Sequence, residues 1–134
     1  MGLDMYAHRV KKKVLDAPKF FYDDEADEYT EDDDRDFGEF MYWRKHPNLH
    51  GWFKRLYEEN GGKGNFNCVW LELTLEDLDR LEKDIWLGSL PHTDGYLFGK
   101  STSSPEEKER DLNFVKKAKK AIKAGYAIYY EGWW

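Results

Sequence analysis

Apolar and polar positions alternate from the start of the chain. Leu3, Met5 and Ala7 stand against Asp4, Tyr6 and His8, a period of two that predicts an opening strand, closed in solvent by Lys11-Lys12-Lys13. Residues 14–36 hold Pro18 and a dense acidic run, keep no period, and are predicted as loop. Phe37 to Lys45 is rich in aromatics (Phe40, Tyr42, Trp43) and fits either a strand or a short helix. From Pro47 the period changes. Leu49, Trp52, Phe53, Leu56 and Tyr57 recur at helical spacing up to the Gly61-Gly62 stop, predicting a helix over about 47–60.

Cys68 to Thr74 again alternates, with Val69, Leu71 and Leu73 on one side and Cys68, Trp70 and Glu72 on the other. Thr74 with Asp77 three residues on is a capping-box variant that opens a second helix, whose buried stripe is Leu75, Leu78, Leu81 and Ile85 and whose end is Gly88. Glu82 and Lys83 fall on its solvent side. Gly88, Pro91, Gly95 and Gly99 punctuate a loop with one short strand expected at Tyr96 to Phe98. Ser104-Pro105-Glu106-Glu107 combines cap, first-turn proline and acids, so a third helix starts there. Leu112, Val115, Ala118 and Ile122 are its expected core face, and Gly125 its end. Tyr126, Ile128 and Tyr130 alternate with Ala127 and Tyr129 in a closing strand. Three helices among about four strands, without a βαβ rhythm or an internal repeat, predict an α+β fold with a small mixed or antiparallel sheet.

Length adds one constraint: 134 residues fit a single domain spanning 1–134. Charge is more informative. The formal net charge is -6, yet Asp23 to Asp36 alone holds ten acids against Arg35, leaving the rest of the chain net basic. An acidic surface loop at about 15–36 on a mildly basic body follows, and such a loop disfavours general nucleic-acid binding. Asp32, Asp34 and Asp36 alternate like calcium ligands, but Gly38 and Trp43 stand where an EF-hand needs Gly one place earlier and a bidentate Glu, so an EF-hand is rejected. No run approaches the ~18 apolar residues of a membrane span, no leader pattern opens the chain, and Tyr6 stands where myristoylation needs Ser or Thr. The lone Cys68 excludes a disulfide framework. A cytoplasmic protein without a membrane partner is expected.

The blocks MGLDMY (1–6), YWRKHPNLHGW (42–52), FNC (66–68), PHT (91–93) and the closing Trp133-Trp134 together resemble a family of small uncharacterised proteins from bacteria and their phages. The resemblance spans nearly the whole chain outside the acidic run. It implies a bacterial or phage setting and brings no catalytic residue. Phages carry small proteins that capture nucleotide immune signals, so sequestration of such a signal is the role this setting suggests.

Candidate chemistry concentrates in Tyr42, Trp43, Arg44, Lys45, His46 and His50, two cations, two imidazoles and two aromatic rings around a helix N-terminus. Free N–H groups there suit phosphate. Arg44 and Lys45 would neutralise an anion, Tyr42 or Trp43 would stack on a base, and His46, His92 and Thr93 would donate hydrogen bonds. His46 and His50 are four apart, a metal-ligand spacing, with His92 or Glu131 as conceivable third ligands. Pro47, however, sets His46 at the cap, and no metal or other cofactor is assigned. His92, in a polar turn, is a candidate general acid or base, and Cys68 a structural thiol. No P-loop, GxGxxG, GxSxG or HExxH occurs, and catalytic residues stay unassigned. The aromatic C-terminus (Tyr126, Tyr129, Tyr130, Trp133, Trp134) suits core and subunit interface, so a homo-oligomer is a further expectation.

The functional expectation is a small-ligand-binding protein for an anionic, nucleotide-like molecule. The alternatives are a phosphodiesterase or hydrolase using His46, His50 and His92, or a protein-binding inhibitor presenting the acidic loop.

Overall fold

A computed structural model describes residues 3–11, 18–25, 41–44, 46–91, 93 and 104–134. Five strands form one sheet: β1 (Asp4–Lys11), β2 (Phe20–Tyr22), β3 (Met41–Arg44), β4 (Val69–Leu73) and β5 (Tyr126–Trp133). Three helices accompany them: α1 (Pro47–Glu59), α2 (Leu75–Leu87) and α3 (Pro105–Lys123). The strand order is β2-β4-β5-β1-β3 and every pairing is antiparallel, so the fold is α+β. The terminal strands form the centre: β1 and β5 pair from Asp4↔Trp133 to Lys11↔Tyr126. None of the helices among the described residues is long and apolar enough to cross a membrane.

Alternation explains the two faces. Met5, Ala7, Trp43, Val69, Leu71, Leu73, Ile128 and Tyr130 face the helices and share one buried cluster with Leu49, Phe53, Leu56, Leu78, Leu81, Phe114 and Val115. The residues between them face the other way. Val10, Phe21, Trp70, Ala127 and Tyr129 form a second buried cluster there. His8 lies flat on Trp70, with ring centroids 4.1 Å apart, and bonds Glu131 at 3.0 Å. Because β4 and β5 are buried on both faces, their hydrophobic patterns are nearly continuous.

Several expectations need correction. Phe20–Tyr22 is a strand, followed by a 3-10 turn at Asp23–Glu25, inside the stretch expected as loop. Three residues are too few to display a period, and β2 is held by its pairing with β4. The aromatic stretch resolves as strand over Met41–Arg44. Cys68 is not in a strand. Its φ of +61° places it in the left-handed region, as a corner before β4. There its N–H donates to the Gly132 carbonyl and its own carbonyl accepts from Asp23 N–H. The closing strand continues past Tyr130 to Trp133. The core face of α3 is also rotated: Asp111, Phe114, Val115, Ala118 and Ala121 are buried, while Leu112 and Ile122 are half-buried. The strand expected at 96–98, residues 15–17 and 26–36 of the acidic loop, and residues 37–40 of the aromatic stretch lie outside the described residues.

Helix ends follow their local chemistry. Thr74 Oγ1 accepts from Asp77 N–H and the Asp77 carboxylate accepts from Thr74 N–H, a complete capping box. Asp77 also binds the Lys19 ammonium, which ties the approach to β2 onto α2. Ser104 caps α3 by accepting from Glu107 N–H. His46 occupies the cap position of α1, yet its side chain makes no cap hydrogen bond. That ring is left for another use.

Candidate functional site

The N-terminus of α1, the C-terminus of α2 and the N-terminus of α3 converge on a cleft of about 450 Å³. Ile85, Leu90 and Pro105 give it an apolar wall; His46, Asn48, Glu107, Lys108 and Asp111 give it polar groups. Its volume lies within the range of small-molecule sites, about 300–1,000 Å³.

On one wall His46 Nε2 lies 2.7 Å from Asp111 Oδ2 and 3.6 Å from Glu107 Oε1. Glu107 and Asp111 are four residues apart on α3 and therefore share a face. His46 and Asp111 are 4% and 2% exposed, and Glu107 is half-buried. The second carboxylate oxygen, Asp111 Oδ1, is buried without a hydrogen-bond partner among the described residues. Leaving such an oxygen unpaired costs about 1–3 kcal/mol or more. The opposite side is partly committed: Lys108 Nζ donates to the Trp86 carbonyl at 3.2 Å and lies 4.9 Å from the Trp86 ring centroid. A cation at the last carbonyls of α2 also suits that helix dipole. Asn48 Oδ1 accepts from Thr93 N–H at 3.0 Å, joining Thr93 to α1 beside the cleft.

The segment expected to form one cationic-aromatic site is therefore divided. His46 lines the cleft and Thr93 borders it through Asn48. Tyr42 and Trp43, as neighbours in a strand, point to opposite faces. The Tyr42 ring packs against Tyr6 at 5.2 Å and its hydroxyl donates to Asp4 at 2.7 Å, on the face away from the helices. Trp43 is 1% exposed and meets Phe114 edge-to-face at 4.7 Å, so it is core and offers no stacking surface. His50 is 1% exposed, enclosed by Phe66, Tyr130 and Trp134, and corrects the expectation of a ligand-facing imidazole. Burial, with Lys54 adding to it, pushes its pKa down from 6.5 to about 3. Tyr130 Oη sits 2.6 Å from His50 Nδ1, and burial pushes the phenol well above its ordinary range, so the hydroxyl donates to a neutral ring. His46 and His50 thus engage different partners. Glu131, the third ligand weighed for them, is buried against His8 on the other face, its pKa raised by that burial. The Arg44 side chain, Lys45 and His92 lie outside the described residues.

Four cleft residues, Asn48, Glu107, Lys108 and Asp111, carried no functional expectation. Asp111 had a signal: it sits at the same helical phase as Phe114, Val115 and Ala118, an acid on an apolar stripe. Among the C-terminal aromatics, Tyr129 and Tyr130 are core, while Trp133 and Trp134 are 43% and 39% exposed. No protein family, curated protein or solved structure matches the chain.

Proposed function

We propose that this protein binds a small ligand in the α1–α2–α3 cleft, and that the ligand is an anionic, nucleotide-like molecule. The observation that carries the reading is the cleft itself, with an apolar wall of Ile85, Leu90 and Pro105 beside the polar groups of His46, Asn48, Glu107, Lys108 and Asp111. A flat base suits the apolar wall; hydrogen-bonding groups of the ligand suit the polar one. In a bacterial or phage setting, holding such a molecule out of circulation is the corresponding role.

The test is a panel of mono-, cyclic and ADP-ribose nucleotides followed by melting temperature and tryptophan fluorescence. Binding at one hundred times Kd adds about 2.7 kcal/mol, which raises Tm by about 8–10 °C for a chain of this size. Leu90→Trp, which fills the half-buried rim, is expected to remove the shift while leaving circular dichroism unchanged. No shift with any nucleotide, or an unchanged shift in Leu90→Trp, overturns the reading.

One observation favours a second reading, a hydrolase. The buried Asp111 carboxylate orients His46 at 2.7 Å, the pairing that positions a histidine general base. Nucleotide recovered intact after denaturing the complex identifies a binder, and cleaved nucleotide an enzyme.

A further inference from the structure

We infer that His46, Glu107 and Asp111 form a binding site for a divalent first-row transition cation such as Zn²⁺ or Co²⁺. The site stands on these three side chains and does not depend on the ligand reading above.

One ligand atom from each residue lies within 4.8 Å of the others. A tetrahedral ion with bonds of about 2.0–2.1 Å holds its ligand atoms about 3.3 Å apart. The His46–Glu107 separation of 3.6 Å is already close to that value, and the 2.7 Å His46–Asp111 pair has to open by about 0.6 Å, exchanging one hydrogen bond for two metal bonds. Two carboxylates neutralise a dication, and one imidazole shifts the preference from calcium and magnesium toward later first-row ions such as zinc and cobalt.

The unpartnered oxygen distinguishes this cluster from an ordinary ion pair. Asp111 lines the cleft, is 2% exposed, and keeps Oδ1 buried without a hydrogen-bond partner among the described residues. A cation at this wall satisfies that oxygen electrostatically or by bidentate ligation. The positions of the ring and of both acids follow from the fold. His46 is at the α1 cap but makes no side-chain cap bond, and the acids project one turn apart from α3. Three protein ligands leave at least one position open, and the triad lines the cleft, so a donor atom from water or a bound anion completes the shell.

Zn²⁺ and Co²⁺ titrations of the purified chain, by calorimetry and by the visible absorption of Co²⁺, test the site. Wild type is expected to bind one ion at this site, with Co²⁺ showing the intense bands of a four-coordinate centre. Glu107→Gln and Asp111→Asn are expected to weaken binding tenfold or more. Circular dichroism checks each fold. Should Asp111→Asn fail to fold, the half-buried Glu107→Gln carries the comparison. Absence of binding at millimolar metal overturns the inference and leaves His46 as a hydrogen-bond partner of Asp111. Equal affinity in wild type and Glu107→Gln overturns it as well, placing the ion elsewhere, as on the acidic residues 23–36. Because the titration uses metal alone, its result is separate from that of the nucleotide panel.

Discussion

His50 makes folding depend on pH with a sign and size that follow from its burial. The ring is enclosed between α1 and β5, its Nδ1 accepts from Tyr130, and its pKa stands at about 3 against 6.5 for an unhindered imidazole. The folded chain therefore keeps the ring neutral through mild acid, whereas the unfolded chain takes up a proton below about pH 6.5. A depressed histidine pKa gives stability that is present above the unfolded value and lost as pH falls toward the folded one. The difference between the two pKa values corresponds to about 5 kcal/mol at full extent, of which about 2 kcal/mol is lost by pH 5.

His50→Asn isolates this contribution. The Asn carbonyl oxygen can take the place of Nδ1 and still accept from Tyr130, while nothing at the site titrates. The variant is expected to be less stable than wild type near neutral pH, because part of the ring volume is emptied. Urea unfolding at about pH 7.5 and about pH 5 gives the comparison, since every other titrating group is common to both proteins. Wild type is expected to lose about 2 kcal/mol more than the variant over that interval. An equal loss in both proteins refutes the reasoning, for it means that His50 is protonated in the fold or open to water.

A Cβ at Gly51 would lie 1.9 Å from Thr93 Oγ1, so Gly51→Ala is expected to cost about 1–2 kcal/mol despite the better helix propensity of alanine, and Thr93→Gly should recover most of that loss. Stabilisation by Gly51→Ala in thermal melts would show that Thr93 does not pack on Gly51. At the start of α2, Thr74→Ala is expected to cost about 1 kcal/mol in urea unfolding for the lost cap. Asp77→Ala should cost about 2–3 kcal/mol, since Asp77 also holds Lys19, and equal losses would show that the Lys19 contact contributes nothing.

Much of the architecture was legible because its signals are local. The stripe Leu49, Trp52, Phe53, Leu56 and Tyr57 is buried as expected, as are Leu78, Leu81 and Ile85, and the Thr74 and Ser104 caps form. Where the expectation failed, the determinant was long-range. β2 depends on a partner strand nearly fifty residues away, with Phe21 opposite Trp70. Cys68 bends because its amide pairs with Gly132 near the other end of the chain. Gly132 itself is a close-approach position: a Cβ there would come within 2.9 Å of His50 and 2.8 Å of the Tyr130 hydroxyl. No local pattern announces that α1 presses this closely on β5.

The candidate site divides along the same line. A cluster of chemically rich residues in sequence is a cluster in space only if the backbone turns them to one side. In YWRKHPNLH the strand sends Tyr42 and Trp43 to opposite faces, and the helix turns His50 inward beneath Tyr130. Of the six expected residues from Tyr42 to His50, His46 alone is placed by the described structure on the cleft, and its partners Glu107 and Asp111 come from a helix some sixty residues later. The sequence feature that pointed toward this meeting was an acid at position 111 in phase with an apolar stripe. A carboxylate is seldom buried without a partner, because desolvating its charge costs several kcal/mol. Asp111 therefore implied a donor or a cation waiting across the helix interface, and His46 answers one of its two oxygens.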